Sequence, residues 1–451
     1  MMVAQAAPVR SVNARIFAGM ATVATLAALV RAAGGAKVIV MAHVLGASPR
    51  VDAFLFAFLV PSLFSDVVAG SLTPSIIPVL TAVRVQHSEE RARRLSASIL
   101  AGSTSLLLAI ACLLGLGASL IVQLRGASGS ATQDLTRSLL WGLLPWLPLT
   151  GVIVCWRAIL NMHERFAIAA AVPVATPLLS IFLLYVAGRG AGVRVLCYGT
   201  WGGALIEVLI LAGCVRQLGY PLLPRWLGWT PDIRAVCKQY LPVAAGALIT
   251  SGSGIIDQAF AARLAPGTLS AISYGTKLTG VVLTIAGTAL STAALPYLSR
   301  MSVDRDWRGF RHTVTRYATA AALAGVLAAA VLIRLSDPLV RGVLQHGAFT
   351  AQATEAVSML QRCSLLQLPF AFLLALGFVT ASALKANRLM LTIAPVALIT
   401  TLLFDYVLMR SFGAAGIATA PAASGAVSLT VLFVLLRRTM RRLQRASASS
   451  F

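Results

Sequence analysis

The sequence predicts an all-α polytopic membrane protein. About twelve transmembrane helices are expected, in two pseudo-symmetric six-helix bundles around a central cavity. Three observations carry this. Of 451 residues, 58% are hydrophobic and only 11% charged, against roughly 25% charged in a soluble domain. Apolar runs long enough to cross a bilayer recur along the whole chain. Short motifs of the first half return in the second half, six spans later.

The expected spans lie near 17–41, 51–80, 96–123, 137–159, 167–187 and 195–214, then 240–263, 268–297, 317–335, 355–383, 390–409 and 414–436. The charge balance is 37 Lys+Arg against 14 Asp+Glu, a net +23. Such hydrophobicity excludes a disordered basic chain and a soluble nucleic-acid binder, so no nucleic-acid partner is expected. Basic residues instead orient membrane helices, because they are retained on the cytoplasmic side. With the N-terminus inside, 24 of the 37 fall on inner segments, among them Arg84, Arg91, Arg93, Arg94, Arg157, Arg300, Arg305, Arg308 and Arg437. Nine fall outside, among them Arg50, Arg263 and Arg334. Both termini are therefore expected in the cytoplasm of a bacterium, with the chain in its inner membrane. The N-terminus shows no short apolar core with a small-residue cleavage site, so no signal peptide is expected.

Four regions follow. Residues 1–214 form an N-terminal six-helix bundle and 240–436 a C-terminal one. Between them, 215–239 reads as a cytoplasmic interfacial linker, with Pro221, Pro224, Trp226, Trp229 and Pro231. Residues 437–451 form a basic tail. The internal likeness rests on two pairs. Ala69-Gly70-Ser71 with Pro78-Val79-Leu80 matches Ala286-Gly287-Thr288 with Pro296-Tyr297-Leu298. Ala158-Ile159-Leu160 with Arg165 and Pro173 matches Ser382-Ala383-Leu384 with Arg388 and Pro395. Transporters are often built from such repeats, with the substrate held between them near the midplane.

Ionisable residues inside apolar spans cost about 2.5–3.5 kcal/mol at the bilayer centre, so they normally face a cavity or a partner. Arg31 and Lys37 flank Gly34 and Gly35 in the first span, where the glycines permit a bend. Lys277 lies in the eighth span. Three cations from two halves in one cavity suit a diphosphate, whose oxygens accept charge-assisted hydrogen bonds. Asp52 opens the second span beside Arg50, as a helix cap, a gate salt bridge or both. Asp66 lies deeper in that span and is placed to neutralise Arg31 or Lys37. Asp257 and Asp405 are lone carboxylates in the seventh and eleventh spans, candidates for Na⁺ or a proton, and Glu207 is a weaker case. The six cysteines form no metal or disulfide pattern, and the histidines at 87, 163, 312 and 346 read as surface polar groups.

Several stretches resemble the MurJ/MviN lipid II flippase family, within the multidrug/oligosaccharidyl-lipid/polysaccharide exporter superfamily. They are Val44-Leu45-Gly46-Ala47 with Asp52-Ala53-Phe54, Phe58, Pro61 and Pro78; Ile159-Leu160-Asn161 with Arg165-Phe166 and Pro173; and Val343-Leu344-Gln345-His346-Gly347-Ala348-Phe349-Thr350. The resemblance implies alternating access around a cationic cavity for the pyrophosphate and sugars of a lipid-linked substrate. It implies that Arg31 and Lys37, Lys277 and Asp52 match the family's functional positions, and that Asp257 and Asp405 match an acidic Na⁺ site found in some members. It departs at three points. Ser65-Asp66 stands where the family usually carries two arginines, Val38 replaces an acidic residue, and fourteen helices are usual where twelve are expected here.

The resulting expectation is a flippase, without enzymatic activity, for a polyprenyl-diphosphate-linked saccharide such as lipid II. No cofactor is expected apart from a coupling Na⁺ or H⁺. Expected partners are the lipid-linked substrate, membrane lipids and proteins of envelope synthesis. Substrate binding is assigned to Arg31, Lys37, Lys277, Asp52, Ser65 and Asp66. Competing readings are a flippase for an O-antigen or exopolysaccharide unit, a cation-coupled drug exporter, a membrane glycosyltransferase or a structural partner. The three cavity cations disfavour the exporter, and short outer loops leave little room for a glycosyltransferase active site.

Overall fold

A computed structural model describes residues 9–123, 130–386 and 388–448. All regular structure among the described residues is helical. The order is α1 (Val9–Leu45), α2 (Pro49–Phe64), α3 (Gly70–Gln86), α4 (Glu89–Leu116), α5 (Ala118–Gln123), α6 (Ser130–Leu143), α7 (Trp146–Met162), α8 (Phe166–Ala171), α9 (Ala175–Ala191) and α10 (Arg194–Gln217). Then come α11 (Pro231–Ala261), α12 (Thr268–Val303), α13 (Trp307–Leu344), α14 (Ala351–Leu365), α15 (Leu368–Ala383), α16 (Arg388–Phe412) and α17 (Ala414–Ala448). Ten of these helical stretches are long and apolar enough to cross a membrane, or eleven when the bent pair α14–α15 counts as one. The expected seventh span forms a helix, α11, but is not among them. Its sequence is diluted by Gly246, Ser251, Gly252, Ser253, Gly254 and Asp257. The first span runs through Gly34 and Gly35 as one uninterrupted helix.

The chain divides into two compact units. The first comprises α1, the chain from Ala57 onward and α3 to Ala247 in α11. The second takes Gly46–Phe56 and the chain from Leu248. In the first unit, α3 points Leu72, Ile76, Val79, Leu80 and Val83 into the core. They recur every three or four residues, with Val79 and Leu80 sharing one turn, which keeps them on one helix face. They meet Leu95 and Ile99 of α4, Ile153, Trp156 and Leu160 of α7, and Leu211 and Val215 of α10. Close contact of α9 with α10 depends on missing side chains. A Cβ on Gly203 would lie 2.4 Å from Thr176 Cα, and one on Gly199 2.6 Å from Ser180 Oγ, a small-residue contact typical of membrane helices. The linker belongs to this unit: Arg225 N donates to Ala97 O (3.3 Å) and Leu227 N to Ser98 Oγ (3.3 Å) of α4.

In the second unit, Ala294 and Leu298 of α12 pack with Phe310 of α13 and Leu376 and Val379 of α15. Helix starts carry side-chain caps where the sequence supplies them. Ser88 accepts from Arg91 N, Asp306 from Gly309 N and Thr350 from Ala353 N.

Both units break at the same point of their repeat. The fourth span divides into α6 and α7 beside Pro145, and the tenth into α14 and α15 just before Pro369. The second break bends the helix by 41°. Proline removes a backbone donor and clashes with the preceding turn, so each break has a local cause. The second span is interrupted differently, by a π-helical turn at Ser65–Ala69 between α2 and α3.

Candidate functional site

In the first unit, Arg31 and Lys37 project from α1. Arg31 is exposed and Lys37 half-buried, so neither is enclosed in the unit's core. The Lys37 charge reaches Cys197 at the start of α10. Ser65 and Asp66 open the π-helical turn, with Asp66 exposed and Val67, Val68 and Ala69 buried behind it. Such turns are rare and concentrate at functional sites. Asp66 belongs to none of the six ion pairs seen among the described residues.

Two further charged groups lie inside this unit. Glu207 of α10 is buried, and its Oε1 accepts from Thr176 Oγ1 at 2.7 Å. Its charge acts on Arg157 of α7, whose buried Nε has no hydrogen-bond partner. Sequence counting groups Arg157 with the inner loop basics, but it is half-buried one turn inside α7. His163 also departs from the surface reading: Nε2 lies 3.3 Å from Glu89 Oε1, and Arg84 Nε pairs with Glu89 Oε2 at 2.7 Å.

In the second unit, Lys277 is exposed on α12. Asp52 has a different role from either one expected of it. It neither caps its own helix nor pairs with Arg50. Helix α12 begins at Gly267, which has φ 90° and no side chain to cap the exposed amides. The Asp52 carboxylate supplies that cap from α2. Gly267 N donates to Oδ2 at 2.6 Å and Ser270 N to Oδ1 at 2.7 Å. An anion here also meets the positive end of the helix dipole. Around this contact the quoted motifs meet. Tyr274 donates its hydroxyl to Gly46 O (3.2 Å) and packs edge-on to Phe349 at 5.8 Å. Gly46, at φ 64°, sits where a Cβ would lie 2.6 Å from Ala348 O.

Asp257 of α11 and Asp405 of α16 come together. The two carboxyl groups are within hydrogen-bonding reach of each other. Asp257 Oδ1 and both Asp405 oxygens are buried without a donor. Facing acceptors need a proton or a cation between them. Thr401, one turn before Asp405, donates to Ser424 Oγ of α17 at 3.1 Å, and Thr400 lies 2.7 Å from the same oxygen. The carboxylate pair itself could share a proton or hold one monovalent cation. It falls short of the about six to eight oxygens that Ca²⁺ collects. No group of three or more His, Cys, Asp or Glu able to hold a metal occurs among the described residues.

The profile of the family described as "Lipid II flippase MurJ" matches residues 41–449. The chain belongs to this family. Curated MurJ relatives span nearly its whole length. A probable lipid II flippase MurJ of Vibrio cholerae is 24% identical over 441 residues, covering 94% of this chain and 83% of the relative. One of Rhizobium tropici is 28% identical, covering 90% and 78%. The lipid II flippase MurJ of Burkholderia cenocepacia is 26% identical, covering 94% and 84%. Among solved structures, a lipid II flippase MurJ in an inward closed conformation superposes with TM-score 0.79 at 19% identity, covering 93% of this chain and 89% of that one. An inward-facing multidrug resistance MATE family transporter superposes with TM-score 0.74 at 14% identity, covering 94% and 96%. The MurJ and MATE likenesses establish a shared helical fold, and the family match distinguishes between them. Asp52, Gly46 and the Gly347–Thr350 motif, which suggested MurJ from sequence, are joined in one contact network of the second unit.

Proposed function

We propose that this chain moves a polyprenyl-diphosphate-linked saccharide, lipid II, from the cytoplasmic to the outer leaflet by alternating access. The observation that carries the proposal is the MurJ family match over residues 41–449. The intramembrane cations support it. Arg31, Lys37 and Lys277 are not enclosed in the cores of their own units, and a cation on a lipid-facing surface would cost about 2.5–3.5 kcal/mol. We assign them to the diphosphate, with Ser65 and Asp66 towards the saccharide. The Asp257–Asp405 pair carries the coupling ion, Na⁺ or H⁺. The excess of arginine on alternate segments supports both termini lying on the cytoplasmic side of the inner membrane. The membrane potential then assists, each elementary charge crossing 100 mV being worth about 2.3 kcal/mol.

The experiment is depletion of the protein followed by a lipid II accessibility assay. Lipid II should accumulate on the inner leaflet, and normal outward exposure would exclude it as the substrate. Ser65-Asp66 favours one second reading, a different lipid-linked saccharide, because an anion faces the substrate in place of the family's cations. In that case depletion leaves lipid II exposure normal and strands another lipid-linked unit.

A further inference from the structure

The π-helical turn at Ser65–Ala69 has two faces. Asp66 is exposed and Ser65 half-buried, whereas Val67, Val68 and Ala69 are buried. A side-chain hydrogen bond from a distant element reaches the turn at Val68. The Tyr240 hydroxyl of α11 donates to Val68 O at 3.3 Å, across 172 positions of sequence.

Helix α11 carries that hydroxyl to a fixed place. Asp232 in its first turn accepts from Arg91 Nε at 2.7 Å and from Arg91 Nη2 at 3.0 Å, which ties the helix start to α4. Ile233, Val236, Cys237 and Tyr240 then share one helix face and pack against the core of the first unit. Tyr240 ends this stripe, because Leu241, Pro242 and Val243 are exposed. It stands about 12 Å along the helix from Asp232. Packing therefore sets the ring before the hydroxyl meets the turn.

The bond serves both partners. A half-buried tyrosine hydroxyl needs an acceptor, and a π-turn departs from regular helical bonding. Gly70 N donates to Ser65 O, where a regular α-helix would pair that oxygen with the amide one residue earlier. Converting the turn to regular helix would move Val68 O relative to α2, and Tyr240 holds it where the π form puts it. Ser65 and Asp66 are also the two positions at which this chain replaces the family's arginine pair. We propose that Tyr240 is a positioning residue for substrate selectivity, holding the turn in the shape that presents Ser65 and Asp66 to the saccharide. The assignment rests on the flippase reading and on the place given there to Ser65 and Asp66.

Tyr240→Phe removes the donor and keeps the ring packed. The full chain in lipid nanodiscs is titrated with lipid II and with bare polyprenyl diphosphate, which lacks the saccharide. The wild type should bind lipid II more tightly. Tyr240→Phe should weaken lipid II about fivefold, the scale of one lost hydrogen bond, and leave the bare diphosphate unchanged. Lys277→Ala should weaken both. In a chain carrying Ser65→Ala and Asp66→Ala, Tyr240→Phe should add nothing, because a residue acting only through others is not additive with them. A general loosening of the bundle would instead lower the unfolding temperature and weaken both probes alike. Four results overturn the proposal: unchanged lipid II binding in Tyr240→Phe, equal weakening of both probes, an additive effect in the Ser65/Asp66 background, or equal wild-type affinity for the two probes. Failure of the wild-type chain to bind either probe would instead remove the flippase reading beneath it.

Discussion

Ser270 N donates to Asp52 Oδ1 at 2.7 Å across 218 positions of sequence. With the Gly267 bond it forms a cap supplied by another helix. Hydrogen bonds to charged groups contribute about 1.5–3 kcal/mol each. Asp52→Asn retains the shape but has one acceptor oxygen for two amides, so it should lose one such bond. Asp52→Ala should lose both and destabilise further. Thermal unfolding of the purified variants gives the order, and equal stability of all three chains would remove the cap's importance.

The two halves of the glycine inventory should behave oppositely. Gly46 has φ 64° and a Cβ position 2.6 Å from Ala348 O. The left-handed conformation alone costs an ordinary residue about 1–2 kcal/mol, so Gly46→Ala should lower the unfolding temperature. Gly34 and Gly35 have nothing within 4 Å of a Cβ and lie in a continuous helix. Alanine there should stabilise by up to about 1 kcal/mol. A fall in stability at Gly34→Ala would show that α1 needs a bend after all.

For the carboxylate pair, the expected readout is ion-dependent stability. Sodium chloride should stabilise the wild-type chain over choline chloride at equal strength, if Na⁺ is the ion, by about 2.7 kcal/mol at a hundred times its dissociation constant, read as a rise in unfolding temperature. Asp405→Asn should abolish that difference, because the amide can donate to Asp257 and take the cation's place. In Na⁺-free buffer the same variant should be more stable than wild type. A sodium shift that survives in both Asp257→Asn and Asp405→Asn would place the ion elsewhere.

Lys277→Ala and Arg31→Ala should abolish complementation of a depleted strain with normal expression. Both side chains are exposed, and surface substitutions usually change stability by less than about 0.5 kcal/mol. Lys277→Arg should retain partial function. Growth of the double alanine variant at the wild-type rate would refute the diphosphate assignment.

The family, the helical class and the intramembrane cations were legible because charge in an apolar run is visible one residue at a time. The pairing of Asp257 with Asp405 was foreseen only as two separate candidates, since nothing local records that two spans bring them face to face. Asp52 was legible as a cap but not as a cap for α12. The helix it serves begins at a glycine, which leaves no polar residue in the sequence to mark the missing partner. Arg157 was misplaced because hydropathy locates a span's end only within a few residues, and one turn decides between loop and interior. The proline-linked breaks near Pro145 and Pro369 were equally hidden, because the apolar run continues through both.

The π-helical turn at Ser65–Ala69 makes the second span a counting device. Each residue advances a helix by about 100°, and a π-turn absorbs one residue beyond the regular repeat. The phase of α3 is therefore fixed by how many residues separate the buried Leu59 from Leu72, as much as by which residues they are. Deleting one residue from the turn would swing Leu72, Ile76, Val79 and Leu80 out of the first unit's core while leaving composition and hydropathy almost unchanged. Insertions and deletions at this point should be far less tolerated than substitutions.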